Sequence, residues 1–94
     1  MAIRTQSLLV TTTRQQITIA DTDSMAGQRV WIYGEFHGSS NKIAIGGTDV
    51  TIANGIHVYG GEKFGPIEMA SGETLHVISD SAGGLDVRVM TQGS

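Results

Sequence analysis

Cysteine is absent from the chain, which excludes a disulfide scaffold, a thiolate metal cluster and a cysteine nucleophile. Proline occurs once against 13 glycines, so the turns must be glycine turns. Aromatic residues make up 5% of the sequence and charged residues 16%. No apolar run approaches the roughly 20 consecutive residues of a membrane span, and Leu8-Leu9-Val10 is too short for the roughly 7–15-residue core of a secretory signal. The expectation is a protein that matures in the cytosol and has no membrane partner. Excess positive charge is also missing: a formal net charge of -3 argues against nucleic acid, whose binding surfaces are usually basic. A hydrophobic content of 39% over 94 residues still sets the chain apart from disordered polyelectrolytes. One domain of this size buries only about 60–65% of its extended surface. Small domains without disulfides commonly rely on a metal, efficient packing or oligomerisation.

What the chain does have is period-two alternation in short runs separated by Gly, Ser, Asn and Asp, the pattern of half-buried strands. Strands are predicted at 6–13 and 15–20, the second with Ile17 and Ile19 on one face. Asp21-Thr22-Asp23-Ser24 belongs to a following loop or single helical turn. Residues 29–37 form the strongest strand, with Val30, Ile32, Gly34 and Phe36 on one face and Trp31, Tyr33, Glu35 and His37 on the other. Gly38-Ser39-Ser40-Asn41 is expected to close a hairpin that pairs this strand with residues 42–46. Short strand-like pieces at 48–51 and 56–58 flank Asn54-Gly55, which reverses the chain, and Asp49 can cap the glycine turn through its own backbone. Residues 63–70 contain Pro66, which suits an edge, a strand start or a bulge. Residues 74–80 then turn through Ser81-Ala82-Gly83-Gly84 into a final hairpin with 85–92.

No helical period is present, and turn signals recur every eight to twelve residues, as in sandwiches and small barrels. The fold class expected is all-β: a single small antiparallel β-sandwich over 1–94, jelly-roll-like, with about eight strands, ahead of an open barrel. The expected core is Val30, Ile32, Phe36, Ile43, Ile45, Val50, Ile56, Val58, Phe64, Ile67, Leu75, Val77, Leu85, Val87 and Val89.

Chemistry-bearing residues are few. His37, His57 and His76 are the three histidines, and a metal site would need three strands to converge on them, with no His-x-His pair to begin it. Surface or turn positions are the simpler reading. A serine nucleophile lacks its Gly-x-Ser-x-Gly elbow. Glu35, Glu62, Glu68 and Glu73 all fall where solvated carboxylates are expected rather than a hydrolytic pair. Asp21-Thr22-Asp23-Ser24 lacks the later glycine and distal glutamate of a calcium loop. Gly46-Gly47 and Gly60-Gly61 are not followed by a helix that could aim amides at a phosphate. The chain is therefore expected to be no enzyme and to carry no cofactor.

Apolar residues on second faces are more informative. Trp31 and Tyr33 share one such face, and Ile78 and Met90 occupy the second faces of the last two strands. A sheet in a two-layer sandwich normally gives that side to water, so these residues need a cover unless the in-out assignment is wrong. The amino-terminal arm over 1–13, with Leu8, Leu9 and Val10, can either pair as an edge strand or extend to add to another chain, and the extended form is favoured slightly. Leu8, Leu9, Val10, Trp31, Tyr33, Ile78 and Met90 are thus the candidate interface.

Ile43-Ala44-Ile45-Gly46-Gly47-Thr48-Asp49-Val50-Thr51, Asn54-Gly55-Ile56-His57-Val58 and Gly61-Glu62-Lys63-Phe64, closed by Leu75-His76-Val77-Ile78 and Asp86-Val87-Arg88-Val89, resemble the small virion structural proteins of tailed bacteriophages and related prophage proteins. The likeness covers about the last two-thirds of the chain and its motifs are turns, not catalytic machinery. It implies a head decoration or cement protein that oligomerises on the capsid surface, as a trimer at three-fold sites, and bridges subunits of the major capsid protein. It also implies a location in the virion after assembly in the bacterial host cytoplasm. The alternative is a carbohydrate- or receptor-binding module of a fibre or tail, with Trp31 and Tyr33 as a stacking platform.

Overall fold

Alternating β-branched and polar residues give strands that are buried on one face only, and two such faces close on each other. The fold is seen in a computed structural model in which residues 3–17, 28–70 and 73–93 are described. Eight strands are present among them: β1 (Ile3–Val10), β2 (Gln15–Gln16), β3 (Gln28–Gly34), β4 (Lys42–Gly46), β5 (Ile56–Tyr59), β6 (Lys63–Glu68), β7 (His76–Ser79) and β8 (Leu85–Gly93). They form two antiparallel four-stranded sheets, ordered β1-β8-β3-β6 and β2-β7-β4-β5. This order is that of a jelly roll, in which successive strands alternate between layers except at the β4–β5 hairpin. The all-β sandwich expected from alternation is thus the fold observed.

The inner faces supply the core. Val30 and Ile32 of β3, Ile43 and Ile45 of β4, Val77 of β7 and Val87 and Val89 of β8 are almost fully buried, joined by Val10, Ile17, Val58, Met69, Leu75 and Leu85. Phe64 and Ile67 pack at its margin. Ile56 does not belong to it: at the edge of its sheet it is 53% exposed, because no described strand lies beyond β5 to close over that side.

Strand pairing departs from the expected hairpins. The segment after β3 does not fold back onto it; β4 lies in the opposite sheet, between β7 and β5. The turn at 81–84 likewise carries the chain from β7 in one sheet to β8 in the other. At that crossing Gly84 has φ 89° and a Cβ there would stand 2.7 Å from Leu9 Cγ, so both backbone angle and space require glycine. Residues 48–51 form no strand, but a turn. Of the predicted strand 15–20, Gln15–Gln16 is observed and Ile17 continues it through its N–H to Leu75 O, 2.8 Å, while Ile19 and the loop at Asp21-Thr22-Asp23-Ser24 lie outside the described residues. β6 is an edge strand that carries Pro66, and its pairing with β3 shifts register between Val30 and Ile32, the edge and bulge that proline suits.

Polar ties lock the layers. Ser79 is buried, and its hydroxyl donates to Val10 O, 2.8 Å, while its N–H donates to Thr11 O, 2.9 Å, joining β7 to the end of β1. Lys42 N donates to Asp80 Oδ1, 3.1 Å, and its ammonium lies 3.4 Å from Asp80 Oδ2. The backbone N–H of Lys42 holds the Asp80 carboxyl below the ordinary carboxylate range, and partial burial opposes this.

Two substitutions separate core from edge. Ile43→Ala should cost about 2–5 kcal/mol, whereas Ile56→Ala should cost well under about 1 kcal/mol, as exposed positions do; urea unfolding measures both. The Asp80 carboxyl, lowered in the folded state, contributes stability above its unfolded value of 3.8 and loses it as the pH falls through the folded value. Asp80→Asn should therefore lower the thermal midpoint at pH 7, with the deficit shrinking as the pH drops below 3.8.

Candidate functional site

The outer faces of the two sheets differ. On the β4 sheet, Ala44 stands in register with His57 on one side and Ile78 on the other, a row that strand alternation points away from the core. Ala44 is nevertheless fully buried, and so is Val50 at 2% exposure, outside the main core cluster. The chain covers the Ala44 part of this face with its own 47–55 connection, while His57 stays exposed and Ile78 half-buried. Val50 lies over glycines: a Cβ on Gly46 would stand 2.9 Å, and one on Gly55 2.6 Å, from Val50 Cγ2. Inside the loop Thr51 N donates to Asn54 Oδ1, 2.7 Å, and Asn54 Nδ2 donates to Asp49 O, 3.3 Å. Asn54, not Asp49, is the side chain that caps the turn. Arg14 donates to Val50 O, 3.2 Å, and the His57 ring meets Ile52 O at 2.5 Å.

Among the described residues no such loop lies over Trp31, Tyr33 and Met90 on the β3 sheet. Trp31 is opposite Met90, which in turn is opposite Thr5, and Tyr33 is opposite Arg88. All three large side chains are half-buried. Trp31 rests beside the β6 bulge, where a Cβ on Gly65 would stand 3.2 Å from Trp31 Cδ1. Charge pairs border this centre: Arg88 Nη1 with Asp86 Oδ1 at 2.5 Å and Arg29 Nε with Glu68 Oε1 at 3.5 Å. The Asp86 hydrogen bond raises the pKa of Arg88 above its already high value, aided by Glu35. At one end the Tyr33 hydroxyl meets His37 Nε2 at 3.1 Å, with Glu35 Oε2 4.0 Å from the same nitrogen.

The seven candidate interface residues therefore do not form one surface. Trp31, Tyr33 and Met90 share the β3 sheet's outer face, and Ile78 lies on the opposite outside of the sandwich. Leu9 is 58% exposed, but Val10 is in the core and Leu8 packs against it. The arm takes the first of its two expected forms, pairing through eight residues with β8 of its own chain. The signal missed in the sequence was Gly46, Val50 and Gly55 as a set: one apolar residue between two glycines that make room for it.

The histidines are dispersed, His37 after β3, His57 on β5 and His76 on β7, and among the described residues no three of His, Cys, Asp or Glu are grouped to hold a metal. The glutamates have structural partners. Glu62 accepts from Tyr59 N at 2.9 Å and Glu73 from Ala70 N at 2.7 Å, both turn caps, and Glu68 pairs with Arg29. Among the described residues no helix is long and apolar enough to cross a membrane. No protein-family model, curated protein or solved structure matches the chain.

The loop cover makes a local prediction. Val50→Asp places a charge where Val50 is now buried, so the amides of Val50 and Gly55 should lose hydrogen-exchange protection while those of Val87 and Val89 keep theirs. Equal loss at all four would mean that the loop and the sandwich open together.

Proposed function

We propose that this chain is a bacteriophage head decoration or cement protein, which oligomerises on the head surface and stabilises the capsid by bridging subunits of the major capsid protein. The observation that carries this reading is the uneven cover of the two sheets. On one outer face the chain's own 47–55 loop buries Ala44 under Val50, while the other presents Trp31, Tyr33 and Met90, uncovered by any described segment, within a border of charge pairs. An apolar centre with a polar rim is the usual anatomy of a protein-binding surface, and Trp and Tyr are favoured at its energetic centre. The resemblance of residues 43–64 to small phage structural proteins agrees with this assignment, and the segment concerned is the one that builds the cover.

A sugar-binding module of a fibre or tail would use the same two aromatics. Here the Tyr33 hydroxyl is already engaged by His37 and both rings are half-buried, which favours a protein partner over a stacked sugar ring.

Heads of the source phage assembled without this chain provide the assay. Trp31→Glu should keep the β-sheet spectrum of the wild type and reduce retention on such heads at least tenfold, about 1.4 kcal/mol. Unchanged retention would remove the β3 sheet's outer face from the contact, and binding to a glycan array in place of heads would move the protein to host recognition.

A further inference from the structure

Sheet edges offer unpaired N–H and C=O groups, and proteins usually blunt them with short strands, proline, charge or bulges. Three of the four edges of this sandwich are treated so. β2 has two residues and β5 four. β6 carries Lys63, Pro66, Glu68 and a register shift. β1, at the other end of the β3 sheet, has none of these devices: it runs eight residues in unbroken register with β8, without proline or acidic residues and with Arg4 as its one charge.

The direction of its backbone groups follows from two hydrogen bonds. Asp86 is opposite Leu9, and its carbonyl accepts from Glu35 N at 2.9 Å, on the side of β8 away from β1. The Leu9 carbonyl accepts from Gln15 Nε2 at 2.8 Å. Leu9 therefore turns its backbone groups away from β8, and by the alternation of an antiparallel ladder so do Ile3, Thr5 and Ser7. The same four residues direct their side chains to the outer face, where Ile3 is 63% and Leu9 58% exposed.

We infer that β1 pairs with β1 of a second copy, antiparallel about a two-fold axis through Gln6, to make one continuous eight-stranded sheet. This register keeps inner faces inner and outer faces outer. It sets Ile3 opposite Leu9 of the second copy, and Leu9 opposite its Ile3, so the two large exposed hydrophobics of the strand cover each other twice. Thr5 meets Ser7, and the outward groups of Ile3, Thr5 and Ser7 and the Leu9 N–H find partners, with the Leu9 carbonyl, which already accepts from Gln15 Nε2 at 2.8 Å, taking the second copy's Ile3 N–H on its other lone pair. Arg4 falls opposite Leu8, which keeps the two arginines about 13 Å apart along the strands. The contact is isologous and closes as a dimer, a different closure from the three-fold ring expected from capsid symmetry. It does not depend on the virion reading.

Light scattering on the full chain should give about twice 9.9 kDa. Ser7→Pro removes one outward N–H at an angle that an edge strand accepts, and Leu9→Lys puts charge into the new pairing; each should yield a folded monomer. Should either variant fail to fold, Gln6→Cys decides, since the chain has no other cysteine. On the axis the two residues form a non-hydrogen-bonded pair with Cα atoms about 4.5 Å apart, within disulfide range. Mild oxidation should convert Gln6→Cys to a covalent dimer and leave Thr12→Cys uncrosslinked. A monomeric wild type, an assembly of any size unchanged by both edge variants, or equal crosslinking at positions 6 and 12 would overturn the inference.

Discussion

The last strand sits between the first and the third, and the rest of the sandwich depends on that insertion. β8 pairs with β1 along eight residues and with β3 along seven, so the sheet exists only when the two ends of the described chain have met. Val87 and Val89 carry the core side of this strand, and Arg88 and Met90 its outer side. A ladder of such long sequence separation has a high loop-closure cost and forms slowly. Ser79, bonded to Val10 and Thr11, then fastens the second sheet to the strand that β8 recruits.

From that arrangement follows the division of labour between the two outer faces. The β4–β5 connection is long enough to return over its own sheet, and Val50 settles between two glycines above Ala44. The β3 sheet is bounded on one side by the bulged, proline-bearing β6 and on the other by the plain edge of β1. Its outer surface holds the molecule's tryptophan. One side of the sandwich is thus partly covered by the chain itself, and on the other no described segment lies over Trp31, Tyr33 and Met90.

Much of the fold was legible because alternation is a direct imprint of burial. The runs through Val30, Ile32 and Ile43, Ile45 and Val87, Val89 declared both strands and inner faces, and Pro66 marked an edge. Which strands pair was not legible. Gly38-Ser39-Ser40-Asn41 and Ser81-Ala82-Gly83-Gly84 have the chemistry of hairpin turns, yet each passes the chain between layers, since turn residues fix local backbone angles and not the layer of the next strand. Ile56 alternates properly and is still exposed, because an edge position depends on neighbours that a single strand's pattern does not reveal. Val50 is the reverse case, buried without belonging to any strand. Trp31, Tyr33 and Met90 lie on an outer face, as their parity indicated, whereas Leu8 and Val10 turn inward, because their run could be read in either register.

We propose that the face bearing Trp31 serves a bridging protein of a phage head. The most direct test is the amount of this chain in purified particles of the source phage, measured by quantitative mass spectrometry against the major capsid protein. Decoration predicts copies in fixed proportion to capsid subunits, near one to one or a simple fraction of it. A handful of copies per particle, or none, would contradict the account.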